Sequence, residues 1–238
     1  MYNTKNYEEN KVMITEQTLS ILKNFATINP NIVINEGNVI KTISEAKTIL
    51  CKSTLDVTFP QTFGIFDLNE FLSAVSLVEK PNLLFSDDYV IISDQVGRTK
   101  IKYYFSDPDI LTSPSKDVVM KEPEVEFVLE KEVLSKVRRA ASVLGHEFLN
   151  ISCINKSLWL SVNDTTDVTS NAYMVEVNGT YPEENFNFVF KINNLKMVEG
   201  DYKVSISSKL ISHFVNVNSG NLSLDYWVAL EKTSTYGE

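Results

Sequence analysis

The chain has few residues that could perform catalysis, and they are scattered. Its two histidines are His146 and His213, and neither stands in a spacing typical of a metal site or of a nucleophile with its base. No HExxH, GxSxG, GxxxxGK[ST] or GxGxxG pattern occurs. The remaining candidates are acids in predicted turns or in a predicted linker, where solvation is the default: Asp87–Asp88, Glu183–Glu184, Asp107, Asp109 and Asp117. We therefore expect no enzyme activity, no cofactor and no metal.

The basic residues form a clearer pattern. Segment Glu130–Leu144 predicts an amphipathic helix with four bases, two acids and an apolar stripe that repeats at helical spacing. Its bases indicate a surface for nucleic acid, although an ordinary solvated face explains this helix equally well. The predicted stripe consists of Val133, Val137, Ala140, Ala141 and Leu144. The candidate DNA-facing residues, including bases of two other predicted helices, are Lys23, Lys131, Lys136, Arg138, Arg139, Lys191 and Lys196.

Composition limits this hypothesis. The 238 residues carry a net charge of -9, whereas a protein that binds DNA by charge alone should be basic overall. The chain therefore either does not bind DNA or places its bases on one face. No apolar run is long enough to span a bilayer and no signal peptide is recognisable, which favours a cytosolic location without membrane contact. Cys51 and Cys153 lie far apart and are expected to be buried, reduced thiols.

A repeated unit organises the chain. An apolar strand leads into an amphipathic helix about four times, and β-rich segments follow each time. Three prolines in Ser106–Pro123 indicate an extended linker between two similar halves. We therefore predict domains at 1–106 and 124–238, with a linker at 107–123. The fold class is α+β, with antiparallel sheets and a few helices on one side. The predicted helices are Thr15–Ile28, Asp67–Val78, Glu130–Leu144 and Lys191–Val198.

Four long segments resemble a known family in the same order along the chain. They are Leu19–Ile34 (LSILKNFATINPNIVI), Phe63–Val78 (FGIFDLNEFLSAVSLV), Asn185–Val204 (NFNFVFKINNLKMVEGDYKV) and Tyr226–Ser234 (YWVALEKTS). They resemble the sliding clamp of T-even-type tailed phages, a DNA polymerase processivity factor. The resemblance runs from about Thr15 to the C-terminus, and residues 1–14 extend beyond the usual start of the family. Among the helix bases, Arg138 falls on an arginine of the family.

The resemblance implies a DNA-clamp fold with two similar domains per subunit, and a homotrimeric ring around duplex DNA. The basic residues given above would line that ring. Implied partners are the replicative DNA polymerase, an ATP-dependent clamp loader and factors of late viral transcription, all in the host cytoplasm. Clamps of this architecture also capture short apolar tails near the interdomain linker. Here that pocket would use Pro108, Ile110, Leu111, Val118, Tyr226 and Trp227, although these residues could equally seat the linker on the body.

Two rival interpretations remain at this point. A β-rich virion structural protein would also assemble symmetrically, but it would not need basic helices. A small-molecule enzyme would need a pocket with convergent polar groups. Retention on circular but not on linear DNA separates the clamp from both rivals.

Overall fold

The computed structural model describes residues 10–164, 167, 169–217 and 222–237. The chain divides into two compact units. The first comprises Met1–Ser115 with Asn221–Leu224, and the second comprises Lys116–Gly220 with Asp225–Glu238. Within the described residues, no helix is both long and apolar enough to cross a membrane.

The first unit consists of short antiparallel strands and two helices. Strands β1, β6, β7 and β8 form one sheet in that order, β2 pairs with β5, and β3 pairs with β4. Helices α1 and α2 contact each other, and α1 also packs on β3 and β4. The element bounds are β1 Lys11–Met13, α1 Glu16–Ile28, β2 Ile32–Ile34, β3 Gly37–Ile43, β4 Ile49–Phe59, β5 Phe63–Ile65, α2 Leu68–Ser76, β6 Asn82–Phe85, β7 Tyr89–Ser93 and β8 Lys100–Tyr104.

The second unit holds one long helix against two antiparallel sheets. One sheet has the order β12-β11-β10-β14-β18, and α3 packs on its strands β10, β11 and β12. In the other sheet, β13, β9, β15, β16 and β17 are successive neighbours. The element bounds are β9 Val125–Leu129, α3 Lys131–Leu144, β10 Phe148–Ile154, β11 Ser157–Val162, β12 Tyr173–Val177, β13 Gly179–Thr180, β14 Phe186–Lys191, β15 Tyr202–Ser207, β16 Ile211–Asn216, β17 Leu224–Ala229 and β18 Thr235–Tyr236.

Capping residues explain where the helices begin and end. The Thr15 hydroxyl accepts a hydrogen bond from the Thr18 amide, and an Asp67 carboxylate oxygen accepts one from the Glu70 amide. These caps satisfy amides that the first turn leaves without a partner. Helix α3 ends at Leu144 and is capped by Gly145, whose φ of 74° lies in the left-handed region that glycine adopts without strain.

Two helix predictions need correction. Segment Lys191–Val198 contains a single 3-10 turn, Ile192–Asn194, rather than a helix. The turn contains Asn193 and Asn194, and asparagine side chains compete with the helical backbone for hydrogen bonds. The apolar stripe of α3 is also rotated from its predicted position. Leu134, which was not predicted, is buried with Val137 and Ala141, whereas Val133, Ala140 and Leu144 are partly exposed.

Candidate nucleic-acid interface

Helix α3 presents its four bases on two different stripes. Lys131 and Arg138 are seven residues apart and therefore lie nearly above one another. Lys136 and Arg139 are three residues apart. At 100° per residue, they lie about a third of a turn around the helix from the stripe of Lys131 and Arg138. The two stripes have different surroundings, so these bases cannot all have the same role.

The first stripe contacts the segment that precedes β15. The Lys131 ammonium lies 2.8 Å from a carboxylate oxygen of Glu199, and the Lys131 main-chain amide donates to Asp201 at 2.8 Å. The Arg138 guanidinium donates to the main-chain oxygen of Leu195. Asp201 therefore caps the start of α3, and both bases hold the 195–201 segment against the helix. No spacing in the sequence links residues so far apart, and sequence reasoning missed these partners.

Arg138 is only partly exposed, and burial and the neighbouring groups shift the pKa of its guanidinium in opposite directions. Burial lowers the pKa of the Arg138 guanidinium, while Tyr202, Glu199 and Tyr226 act in the opposite direction. The Tyr202 hydroxyl donates to the Val198 main-chain oxygen at 2.6 Å, and the Val198 amide donates to the Tyr226 hydroxyl at 3.2 Å. Arg138 thus belongs to a polar network beneath α3 and remains charged, because a guanidinium does not deprotonate in proteins.

The second stripe faces solvent. Lys136 and Arg139 are both exposed, and neither pairs with an acid among the residues that the structure describes. Lys23 on α1 is exposed, as is Lys196, whereas Lys191 is partly exposed. Of the predicted DNA-facing bases, Lys136 and Arg139 form the one neighbouring pair on a common helix stripe that is open to phosphate groups.

The exposed faces of α1 and α2 are rich in small polar side chains. On α2, the Ser73 hydroxyl donates to the Asn69 main-chain oxygen and the Ser76 hydroxyl donates to that of Ser73, both at 2.7 Å. On α1, Gln17 and Ser20 are exposed. Acids occur mainly at the helix starts. Such faces repel phosphate little and bind it weakly.

The predicted peptide-binding residues of the first unit lie on one anchored segment. Ile110 ends a 3-10 turn, Pro108–Ile110, and is 70% exposed, whereas Leu111 is partly buried. The Thr112 amide donates to the Asn31 side-chain oxygen at 3.0 Å. Leu111 packs on Gly64, where a Cβ atom would lie 2.7 Å from Leu111 Cδ1 and 2.5 Å from the Ser106 main-chain oxygen. The segment is therefore seated on β5, with Ile110 pointing to solvent.

The predicted peptide-binding residues of the second unit include one that must be corrected. Tyr226 is 0% exposed and is a core residue, because it faces the interior side of β17. It cannot contact a partner. Trp227 faces the other side and stacks on His213 with ring centroids 4.4 Å apart, while His213 Nε2 lies 2.9 Å from Asp225 Oδ1. Val118 is partly exposed.

Comparison with known proteins identifies the family. Residues 15–112 match the family model of a DNA polymerase processivity factor, and residues 126–232 match that of the gp45 sliding clamp, C terminal. The sliding clamp of Vibrio phage KVP40 is 31% identical over 226 residues, which are 92% of this chain and 98% of that protein. The chain belongs to the sliding-clamp family. The sliding clamp of Escherichia phage RB69 is 26% identical, over 94% of this chain and 98% of its own length.

The fold agrees with this membership. A structure of the C-terminal region of FEN-1 bound to A. fulgidus PCNA superposes with a TM-score of 0.71, at 12% identity, over 92% of this chain and 97% of that one. The predicted α+β clamp fold is confirmed. Sliding clamps are DNA replication processivity factors without catalytic activity, which is consistent with the scattered histidines and acids of this chain.

Proposed function

We propose that three copies of this chain close into a ring that encircles duplex DNA and tethers the replicative polymerase. The near full-length match to a phage sliding clamp carries this proposal. The mechanism would be topological, since a closed ring leaves a duplex only by opening or by reaching an end. A bound polymerase would then stay on its template through many cycles of synthesis.

The DNA-facing surface would consist of Lys136, Arg139 and the polar faces of α1 and α2. Contacts of lysine and arginine with phosphate position a protein without reading sequence. A few weak contacts would keep the duplex centred and still permit sliding. The net charge of -9 leaves the rest of the surface acidic, which would reduce unproductive contact with DNA. Arg138 and Lys131 would act indirectly, by holding the 195–201 segment.

Ring closure would use two exposed sheet edges. Strand β8 is an edge of the first unit and β12 is an edge of the second. On β8, Lys102 lies 3.8 Å from the ring centre of Tyr89 and 4.6 Å from that of Tyr104. On β12, Glu176 is exposed. Edges of opposite charge can pair head to tail between copies, and a heterologous contact of this kind closes when the rotation fits.

Partner tails would dock at the seated segment around Ile110 and Leu111. An exposed isoleucine on an anchored turn offers an apolar contact at little entropic cost. An ATP-dependent loader would open the ring, and late transcription factors would use the same surface as the polymerase. These events would take place in the host cytoplasm, where a phage replicates its DNA.

The mass in solution tests ring closure. Light scattering should give about three times the 27.0 kDa of the chain. Glu176→Lys places a lysine opposite the lysines of β8 and should shift the mass towards monomer, and adding Lys102→Glu should restore the trimer. Glu183→Lys makes the same change of charge on an exposed turn and should leave the mass unchanged. A wild-type monomer at micromolar concentration would contradict the ring, and a trimer that DNA does not retain would favour a virion structural protein.

A further inference from the structure

A cavity lined by both apolar and acidic residues lies in the second unit beyond the C-terminal end of α3. It has a volume of about 410 Å³ and is bounded by the helix end, the outer face of β10 and β14, and the segment before β18. The residues that decide its chemistry are Glu147, Phe148, Asn150, Asp164 and Glu231. Neither DNA binding nor the proposed contacts between copies use these side chains.

The cavity has an amide floor. Asn150 is 3% exposed, and its side-chain nitrogen donates to Asn163 Oδ1 at 3.2 Å. Its side-chain oxygen accepts a hydrogen bond from Asn187 at 3.4 Å. An amide oxygen has two acceptor positions, so Asn150 can accept a second hydrogen bond from a donor in the cavity. Asn150 on β10, Asn187 on β14 and Asn163 just after β11 thus form a row of hydrogen-bonded side-chain amides against which a ligand can be oriented.

The charge of the cavity selects a cation. Glu147, Asp164 and Glu231 line it together with His146, and none of the described lining residues is lysine or arginine. The carbonyl end of α3 adds partial negative charge at Gly145. Phosphate is therefore repelled here. Within the described part of the chain, no three His, Cys, Asp or Glu side chains converge closely enough to hold a metal ion. Carboxylates spread around a wide cavity suit a larger organic cation.

We propose that this cavity binds an arginine side chain from a partner protein. A guanidinium carries five donors in a planar fork, which suits a cavity lined by several carboxylates and an amide acceptor. Phe148 also lines the cavity and is 39% exposed, and an aromatic ring is a favourable partner for a guanidinium. Lysine has a compact ammonium with fewer donors and stacks less well. The cavity is thus a second partner site, opposite in sign to the exposed bases of α3.

Amide NMR of the full chain tests the site. Acetyl-arginine amide is titrated into the labelled protein, with the acetyl amides of citrulline, its neutral isostere, and of lysine in parallel. Saturable shifts are expected at Gly145, Phe148 and Asn163 with arginine, and at least several-fold weaker binding with the other two compounds. Glu147→Gln with Glu231→Gln should weaken arginine binding about five- to tenfold, since each exposed charge contributes modestly.

The matched control is Glu183→Gln with Glu184→Gln, which removes two exposed carboxylates of the same unit outside the cavity. Its arginine affinity should equal that of the wild type. Equal shifts with citrulline, equal binding of lysine, or equal weakening by the control variant would each overturn the proposal. So would the absence of shifts at the cavity residues.

Discussion

Arg138 donates a hydrogen bond from its guanidinium to the main-chain oxygen of Leu195, which lies outside its own helix. This contact gives a structural role to the base whose family match made it the strongest candidate for DNA contact. It also ties the 195–201 segment to α3 together with the ion pair of Lys131 and Glu199. Lys136 and Arg139 are then the bases of α3 that are exposed and can contact phosphate. The different roles of the two stripes lead to two contrasting predictions.

The first prediction concerns the exposed pair. Lys136→Ala with Arg139→Ala should weaken DNA binding and lower clamp-dependent synthesis, while the mass of the protein in solution stays the same as that of the wild type. If each base meets one phosphate, the slope of log affinity against log salt should fall by about 1.8, since each contact contributes about 0.9. Affinity measured over a series of salt concentrations checks this.

A matched variant controls for total charge. Lys121→Ala with Lys209→Ala removes two exposed lysines of the same unit that do not lie on a helix. It should leave the salt slope nearly unchanged. Equal slopes for all three proteins would show that Lys136 and Arg139 do not contact phosphate.

The second prediction concerns the network beneath α3. Arg138→Met should lower the free energy of unfolding by about 1–3 kcal/mol, because it leaves the Leu195 main-chain oxygen without this charged donor. Arg139→Met, on the exposed stripe, should change stability by less than about 0.5 kcal/mol. Urea unfolding at one fixed protein concentration compares them. Equal stability of the two variants would argue against a structural role for Arg138.

The helices show which features of the fold could be predicted from the sequence and which could not. The 3.6-residue periodicity of apolar residues predicted three helices well, because this signal is local. Leu134 was missed because two apolar stripes, slightly rotated from each other around α3, fit helical spacing almost equally well, and the stripe without Leu134 was chosen. The last predicted helix failed at Asn193 and Asn194, where local hydrogen bonding competes with helix formation.

Contacts between residues that lie far apart in the chain could not be predicted from the sequence. The partners of Arg138 and Lys131 lie far along the chain, and no spacing rule connects them. Tyr226 and Trp227 were predicted together as pocket residues, yet alternation along β17 places them on opposite faces. Alternation itself was visible in the sequence, but the side that faces the core was not.

The third prediction separates partner binding from the seating of the linker. Ile110→Ser should weaken binding of the polymerase tail and leave stability unchanged, because Ile110 is largely exposed. Leu111→Ser should also lower stability, since Leu111 packs on Gly64. Calorimetric titration with the tail peptide and thermal unfolding measure the two effects. Unchanged tail affinity in the Ile110 variant would remove this residue from the site.

The fourth prediction concerns acid stability. Ser205 donates to Glu126 at 2.8 Å and Lys203 lies 3.1 Å away, and these contacts lower the pKa of Glu126 below its ordinary 4.5. The stabilisation is therefore fully present above pH 4.5 and is lost as the pH falls through the lowered pKa. Glu126→Gln should cost less than about 1 kcal/mol at pH 7, because the pair is exposed to solvent.

Urea unfolding at pH 7 and pH 3 compares this variant with the wild type. The difference between the two proteins should shrink at the lower pH, whereas Glu183→Gln should match the wild type at both. A difference that is equal at the two pH values would show that ionised Glu126 is not the source.

Retention on closed and open DNA tests the central claim most directly. The protein is loaded onto nicked circular duplex with a loader and ATP, and the amount bound is measured by gel filtration before and after a single restriction cut. A ring held by topology should stay on the circle at high salt and leave once the duplex has ends. Equal retention on circular and linear DNA, or release from both at high salt, would contradict encirclement and reduce the interaction to ordinary charge attraction.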